Sequence, residues 1–128
     1  MSTYEYYNPN PRGNRTRDCV IRAMSAVLGI SWDKAFDLIA ARAKEMGLTM
    51  DDNAVYGSIL REWGFYRATI PNRCPDCYSA DDFAREHKHG IFILGFTQHV
   101  AAVIEGKILD SWDSSDEIPQ YYWALQED

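Results

Sequence analysis

His99-Val100-Ala101-Ala102-Val103-Ile104-Glu105-Gly106-Lys107-Ile108-Leu109-Asp110 is a β-hairpin written in sequence. Two runs rich in Val, Ile and Leu flank Glu105-Gly106, a pair suited to the tight two-residue turn that joins antiparallel strands. Counting outward from that turn sets Ile104 opposite Lys107, Ala102 opposite Leu109, Ala101 opposite Asp110 and His99 opposite Trp112. Side chains alternate faces along a strand, so His99 and Asp110 share a face as diagonal neighbours, roughly 7–8 Å apart at the backbone. A three-residue turn reverses this parity and sets Asp113 opposite His99. The two-residue turn is favoured, and with it Asp110, while Asp113 stays the alternative acid.

Around the hairpin, Ile91 to Phe96 and Tyr121 to Leu125 read as further strands, and Phe65 to Ile70 as another, broken by Pro71. The strand segments are thus expected to be Ile91–Phe96, His99–Ile104, Lys107–Trp112 and Tyr121–Leu125, in an antiparallel sheet. Upstream the period changes. From Cys19 to Leu28 only Arg22 and Ser25 are polar, and Val20, Met24, Val27 and Leu28 fall on one helical stripe, predicting a helix buried on most of its circumference. Gly29 ends it. Ser31 caps a second helix running to about Met46, with Trp32, Ala35, Phe36, Ile39 and Ala43 facing inward and Gly47 as its stop. A third helix is expected from Ala54 to Trp63, capped by Asp52 or Asn53. A fourth, short one starts at the capping-box-like Ser79-Ala80-Asp81-Asp82 and ends near Glu86. Helices first and an antiparallel sheet after them make the class α+β.

The chain has 128 residues, 46% of them hydrophobic, enough for one core and hardly for two. Residues 1–17, with Asn8-Pro9 and Asn10-Pro11, read as an irregular lead-in, and 18–128 as a single domain. A formal net charge of −6 repels a phosphate backbone, and Arg12, Arg15 and Arg17 form the only basic cluster, so nucleic acid is not an expected partner. No apolar run approaches the roughly 20 residues of a membrane span, and the N-terminus lacks the pattern of a signal peptide. A cytoplasmic protein without membrane contact is expected. Three cysteines, an odd number without a secretion signal, argue for free thiols rather than a disulfide framework.

Cys19 at a helix start and His99 with an acid on the next strand have the makings of a thiol hydrolase. A thiolate is the nucleophile, and a free cysteine with a pKa of about 8.5 is mostly protonated at neutral pH. A helix N-terminus offers unpaired N–H groups and the positive end of the macrodipole, and a neighbouring imidazolium adds a full charge. His99 would supply that charge and then protonate the leaving group, with Asp110 fixing its tautomer. For the oxyanion, the Cys19 backbone N–H and the Asn14 side-chain amide are the expected donors.

Asn14-Arg15-Thr16-Arg17-Asp18-Cys19-Val20-Ile21-Arg22-Ala23 resembles the nucleophile region of the papain-like cysteine peptidase superfamily. His99-Val100-Ala101-Ala102-Val103 and Asp110-Ser111-Trp112-Asp113 resemble its His and Asp strands. The nearest branch is the small bacterial and phage-associated one, similar to bacteriocin-processing peptidase domains. The resemblance covers about a quarter of the chain. It implies Cys19 as nucleophile, His99 as base and Asp110 as orienter, helices packed on an antiparallel sheet, a peptide or protein substrate, and no cofactor. The family usually places an oxyanion glutamine shortly before the cysteine; no Gln lies upstream of Cys19, and Asn14 is the expected substitute.

Blander readings compete. Singly, Cys19 is a small buried apolar group, His99 a core histidine and Asp110 or Asp113 a turn residue. Only their joint order favours a site. Tyr121, Tyr122 and Trp123 read as core and edge residues rather than a substrate shelf. Cys74-Pro75-Asp76-Cys77 with His87 and His89 offers the ligand types of a tetrahedral zinc without a second knuckle to fix the pattern. The alternatives to a peptidase or amidase are therefore a catalytically silent papain-like interaction module and a small zinc-stabilised binding protein. The short chain leaves little room for specificity loops, which hints at a protein partner completing the site.

Overall fold

A computed structural model describes residues 2–71 and 77–126. The elements are β1 (Tyr4–Tyr6), α1 (Cys19–Leu28), α2 (Trp32–Met46), α3 (Asn53–Glu62), β2 (Phe65–Thr69), α4 (Ala80–Glu86), β3 (Ile91–Gly95), β4 (Val100–Ile104), β5 (Lys107–Asp110) and β6 (Tyr121–Leu125). The fold is α+β, with one six-stranded sheet in the order β1-β5-β4-β3-β6-β2.

Local signals account for most boundaries. Ser31 caps α2 by accepting the Lys34 N–H, Asp52 caps α3 by accepting the Ala54 N–H, and Ser79 with Asp82 forms a full capping box at α4. The hairpin has the expected register, Ile104 opposite Lys107, Val103 opposite Ile108 and Ala102 opposite Leu109. Its turn residues, Glu105 and Gly106, sit at φ 51° and 76°, the left-handed conformation that a two-residue turn of this hand requires at both positions.

The sheet is mixed, not antiparallel throughout. Tyr4–Tyr6, read from sequence as irregular lead-in, pairs in parallel with β5, Tyr4 beside Ile108 and Tyr6 beside Asp110. The Ile108 N–H donates to the Thr3 carbonyl and the Tyr7 N–H to the Asp110 carbonyl, so the first residues belong to the domain and cover the edge on which Asp110 lies. A three-residue parallel strand has no turn to announce it and forms only once its distant partner exists.

Both faces of the sheet are covered. Helices α1 to α3 bury Met24, Ile39, Val55, Ile59 and Leu60 against Ile93, Val100, Ala102 and Trp123 on one face. On the other, Phe83 and Ala84 of α4 pack on Leu94, Ala101, Val103 and Ile108. Two-sided burial explains why β4 is apolar without alternation. One inward expectation fails: Phe36 is 38% exposed, because Ala35, Ile39 and Ala43 already form the buried stripe of α2, and its ring stacks on Trp32 with centroids 5.5 Å apart. No helix among the described residues is long and apolar enough to cross a membrane.

Candidate active site

Cys19 is the first residue of α1. The first bond of the helix runs from the Arg22 N–H to the Asp18 carbonyl, so the N–H groups of Cys19, Val20 and Ile21 have no intrahelical acceptor. Asp18 does not cap them with its side chain. Its carboxylate is taken instead by Arg22 at 2.5 Å and by the Trp32 indole N–H at 2.8 Å. The positive end of α1 thus keeps its donors beside the sulfur.

His99 stands just before β4 between the rings of Phe96 and Trp112, with centroids 5.8 and 4.8 Å away. Its Nε2 lies 2.6 Å from Asp110 Oδ2. A carboxylate accepts, so Nε2 carries the proton, and the Cys19 thiol is the imidazole's second partner. Asp110 is fully buried at the end of β5. Its Oδ1 accepts from the Ser111 N–H at 2.8 Å and Arg22 Nη2 at 2.9 Å, and its Oδ2 also accepts from Ser114 Oγ at 2.7 Å. The two-residue turn therefore selects Asp110. Asp113 is exposed and bonds the backbone and hydroxyl of Ser115, so the alternative acid does not meet His99.

Electrostatics follow this geometry. Burial disfavours the Cys19 thiolate, but the hydrogen bonds from His99 and the Val100 backbone, with the charges of His99 and Arg22, outweigh it and hold the thiol below its ordinary pKa. Burial likewise disfavours the His99 imidazolium, and the bonds to Asp110 and Cys19 overcome it, raising His99 to about 9. Asp110 pays the same desolvation and is held below the usual carboxylate range by His99, Ser114 and Arg22. The two shifts, the thiol lowered and the imidazole raised, both act toward a thiolate–imidazolium pair.

The site opens on a cleft of about 760 Å³ lined by Cys19, His99, Thr16, Arg17, Gln98 and Tyr121 among others. Tyr121 reaches it because Gly95 lies opposite on β3: a Cβ there would fall 2.0 Å from Tyr121 Cζ. Its hydroxyl is 2.7 Å from that of the buried Tyr56. Tyr121 and Trp123 are buried as expected of core residues, yet Tyr121 also lines the cleft.

Asn14 does not come to the sulfur. It is exposed, its carbonyl accepts from Asn8, and it lines a neighbouring cleft with Trp32 and Phe36. The turn at Gly13, at φ 72°, carries the segment around this other cleft. Of the two donors expected for an oxyanion, only the Cys19 backbone N–H stays at the sulfur.

Among the described residues the zinc set is not assembled either. Cys74 lies outside the described residues, and Cys77 is disulfide-bonded rather than a free thiol, correcting the expectation of three free cysteines; Cys19 is free. His87 stacks on Phe83 at 3.9 Å with Nδ1 on the Phe83 carbonyl, whereas the side chain of His89 is 92% exposed beside Glu105. Among the described residues no group of three or more His, Cys, Asp or Glu could hold a metal.

Sequence reading passed over Arg22 and Ser114. The signal for Arg22 was present: a lone charge in a helix otherwise apolar on most sides needs a buried counter-ion. Nothing local marks Ser114, whose hydroxyl reaches back four residues to Asp110. Comparison with family models, curated proteins and solved structures yields no match.

Proposed function

We propose that the protein is a thiol hydrolase that cleaves a peptide or isopeptide bond through a Cys19 thioester. The observation that supports it is the His99–Asp110 hydrogen bond at 2.6 Å with Cys19 as the other partner of the imidazole, set at a helix N-terminus and open to a cleft. In this reading the thiolate attacks the scissile carbonyl, and the free N–H groups of α1 stabilise the oxyanion. His99 then delivers its proton to the leaving amine as the C–N bond breaks. Water, losing a proton to His99, attacks the thioester and releases the acid, expelling the Cys19 thiolate and restoring its pairing with the imidazolium. Asp110 keeps Nε2 protonated and the ring aimed throughout.

The order of nucleophile, base and acid is similar to that of the papain-like peptidases, and the reading keeps that resemblance as its nearest analogy. Its test is turnover of a panel of peptide and isopeptide substrates by the wild type and by Cys19→Ala. Loss of turnover in a variant with an unchanged circular dichroism spectrum supports the reading; undiminished turnover refutes it. One observation favours a second reading, a silent interaction module of the same shape: Asn14, the expected side-chain oxyanion donor, faces another cleft. That module would retain Cys19 with an ordinary thiol pKa.

A further inference from the structure

Arg17 stands two residues before the nucleophile, exposed, and lines the same cleft as Cys19 and His99. Among the described residues it has no hydrogen-bond or ion-pair partner. The other cations nearby are committed. Arg12 pairs with Asp33 at 3.1 Å, Arg15 donates to the Ser111 carbonyl at 2.8 Å, and Arg22 is buried between Asp18 and Asp110. Of the acids, Asp51 lines the cleft and accepts the Thr49 hydroxyl. In a chain of net charge −6, a free guanidinium at the mouth of this cleft is the one group there able to fork onto a carboxylate.

The chemistry orients the substrate. The leaving nitrogen must take its proton from His99, so the amine half lies on the His99 side, where a second cleft that shares Gln98 and His99 is lined by Asp116 and Glu117. Thr16 and Arg17 line the cleft that holds Cys19 and do not line that second one, so the acyl half is assigned to their side. Resting on the hydrolase reading above, we propose that Arg17 is a specificity residue, and that the substrate is a peptide bearing a carboxylate, such as an Asp or Glu side chain, within about one residue of the scissile carbonyl on its acyl side. Acidic Asp116 and Glu117 discourage the same group on the amine side.

The test needs no known substrate. Rates of Cys19 alkylation are measured by mass spectrometry with iodoacetate and with iodoacetamide, in the wild type, Arg17→Gln and Arg12→Gln, at low and high salt. In each case the thiolate displaces iodide and forms the Sγ–CH2 bond; the reagents differ by a carboxylate. The ratio of iodoacetate to iodoacetamide rates is expected to fall about threefold in Arg17→Gln and to shrink with salt in the wild type, while Arg12→Gln, which changes net charge equally, keeps the wild-type ratio. A ratio unchanged in Arg17→Gln, or lowered as much in Arg12→Gln, overturns the proposal while rapid iodoacetamide labelling leaves the hydrolase reading standing. Slow iodoacetamide labelling with an ordinary thiol pKa overturns both.

Discussion

Arg22 Nη2 lies 2.9 Å from Asp110 Oδ1, a guanidinium on α1 bonded to a carboxylate on β5 with both side chains buried. The same guanidinium holds Asp18 one turn earlier. The residue that follows Asp18 is the candidate nucleophile, and the residue bonded to Asp110 is its candidate base. One buried cation thus ties the helix start to the sheet and fixes the separation of Cys19 from His99.

Arg22→Met leaves two buried carboxylates without their shared counter-ion. Breaking a buried pair in this way costs about 3–5 kcal/mol, because the remaining charges stay desolvated. Urea denaturation at pH 7 should show that loss. A change within about 0.5 kcal/mol, typical of a surface substitution, would show that Arg22 is not the clamp.

His99 also makes stability depend on pH. Its pKa is about 9 in the fold against an ordinary 6.5, so folding is favoured by the bound proton. A Cys19→Ser background removes the titrating thiol together with its share of the shift and keeps the share due to Asp110; that part is complete below pH 6.5 and is lost as pH rises through the variant's own raised imidazole pKa. The urea midpoint should fall across that interval, and the fall should vanish in Cys19→Ser/His99→Gln. A midpoint flat in the first variant would contradict the raised imidazole.

Gly95→Ala forces a methyl into the ring of Tyr121, 2.0 Å from Cζ. Overpacking of this kind costs about 1–3 kcal/mol and turns Tyr121 away from Tyr56 and the cleft. Thermal unfolding should show a lowered Tm, and Tyr121→Ala in the same chain should recover part of it by freeing the space.

Legibility in the sequence followed the range of the interactions. Ser31, Asp52 and Ser79 mark helix starts through bonds to residues two or three away, and Glu105-Gly106 fixes a hairpin from which the meeting of His99 and Asp110 could be counted. Each is local or one turn removed from local. Tyr4–Tyr6 was not recognised as a strand because its partner lies about a hundred residues on, and parallel pairing leaves no turn between the two. Arg22 was visible as an oddity, a charge in a buried helix, but its partner Asp110 is 88 positions away. Asn14 was placed by analogy with a glutamine in a loop, where no periodicity constrains direction, and the loop turned it to another cleft.

The central claim is that Cys19 and His99 form an activated pair, and the pH dependence of Cys19 alkylation by iodoacetamide, read by mass spectrometry in the wild type and in His99→Ala, tests it most directly. The account predicts an apparent thiol pKa below the ordinary value in the wild type and a rise on removing the imidazole. An ordinary pKa, the same in both proteins, would contradict it.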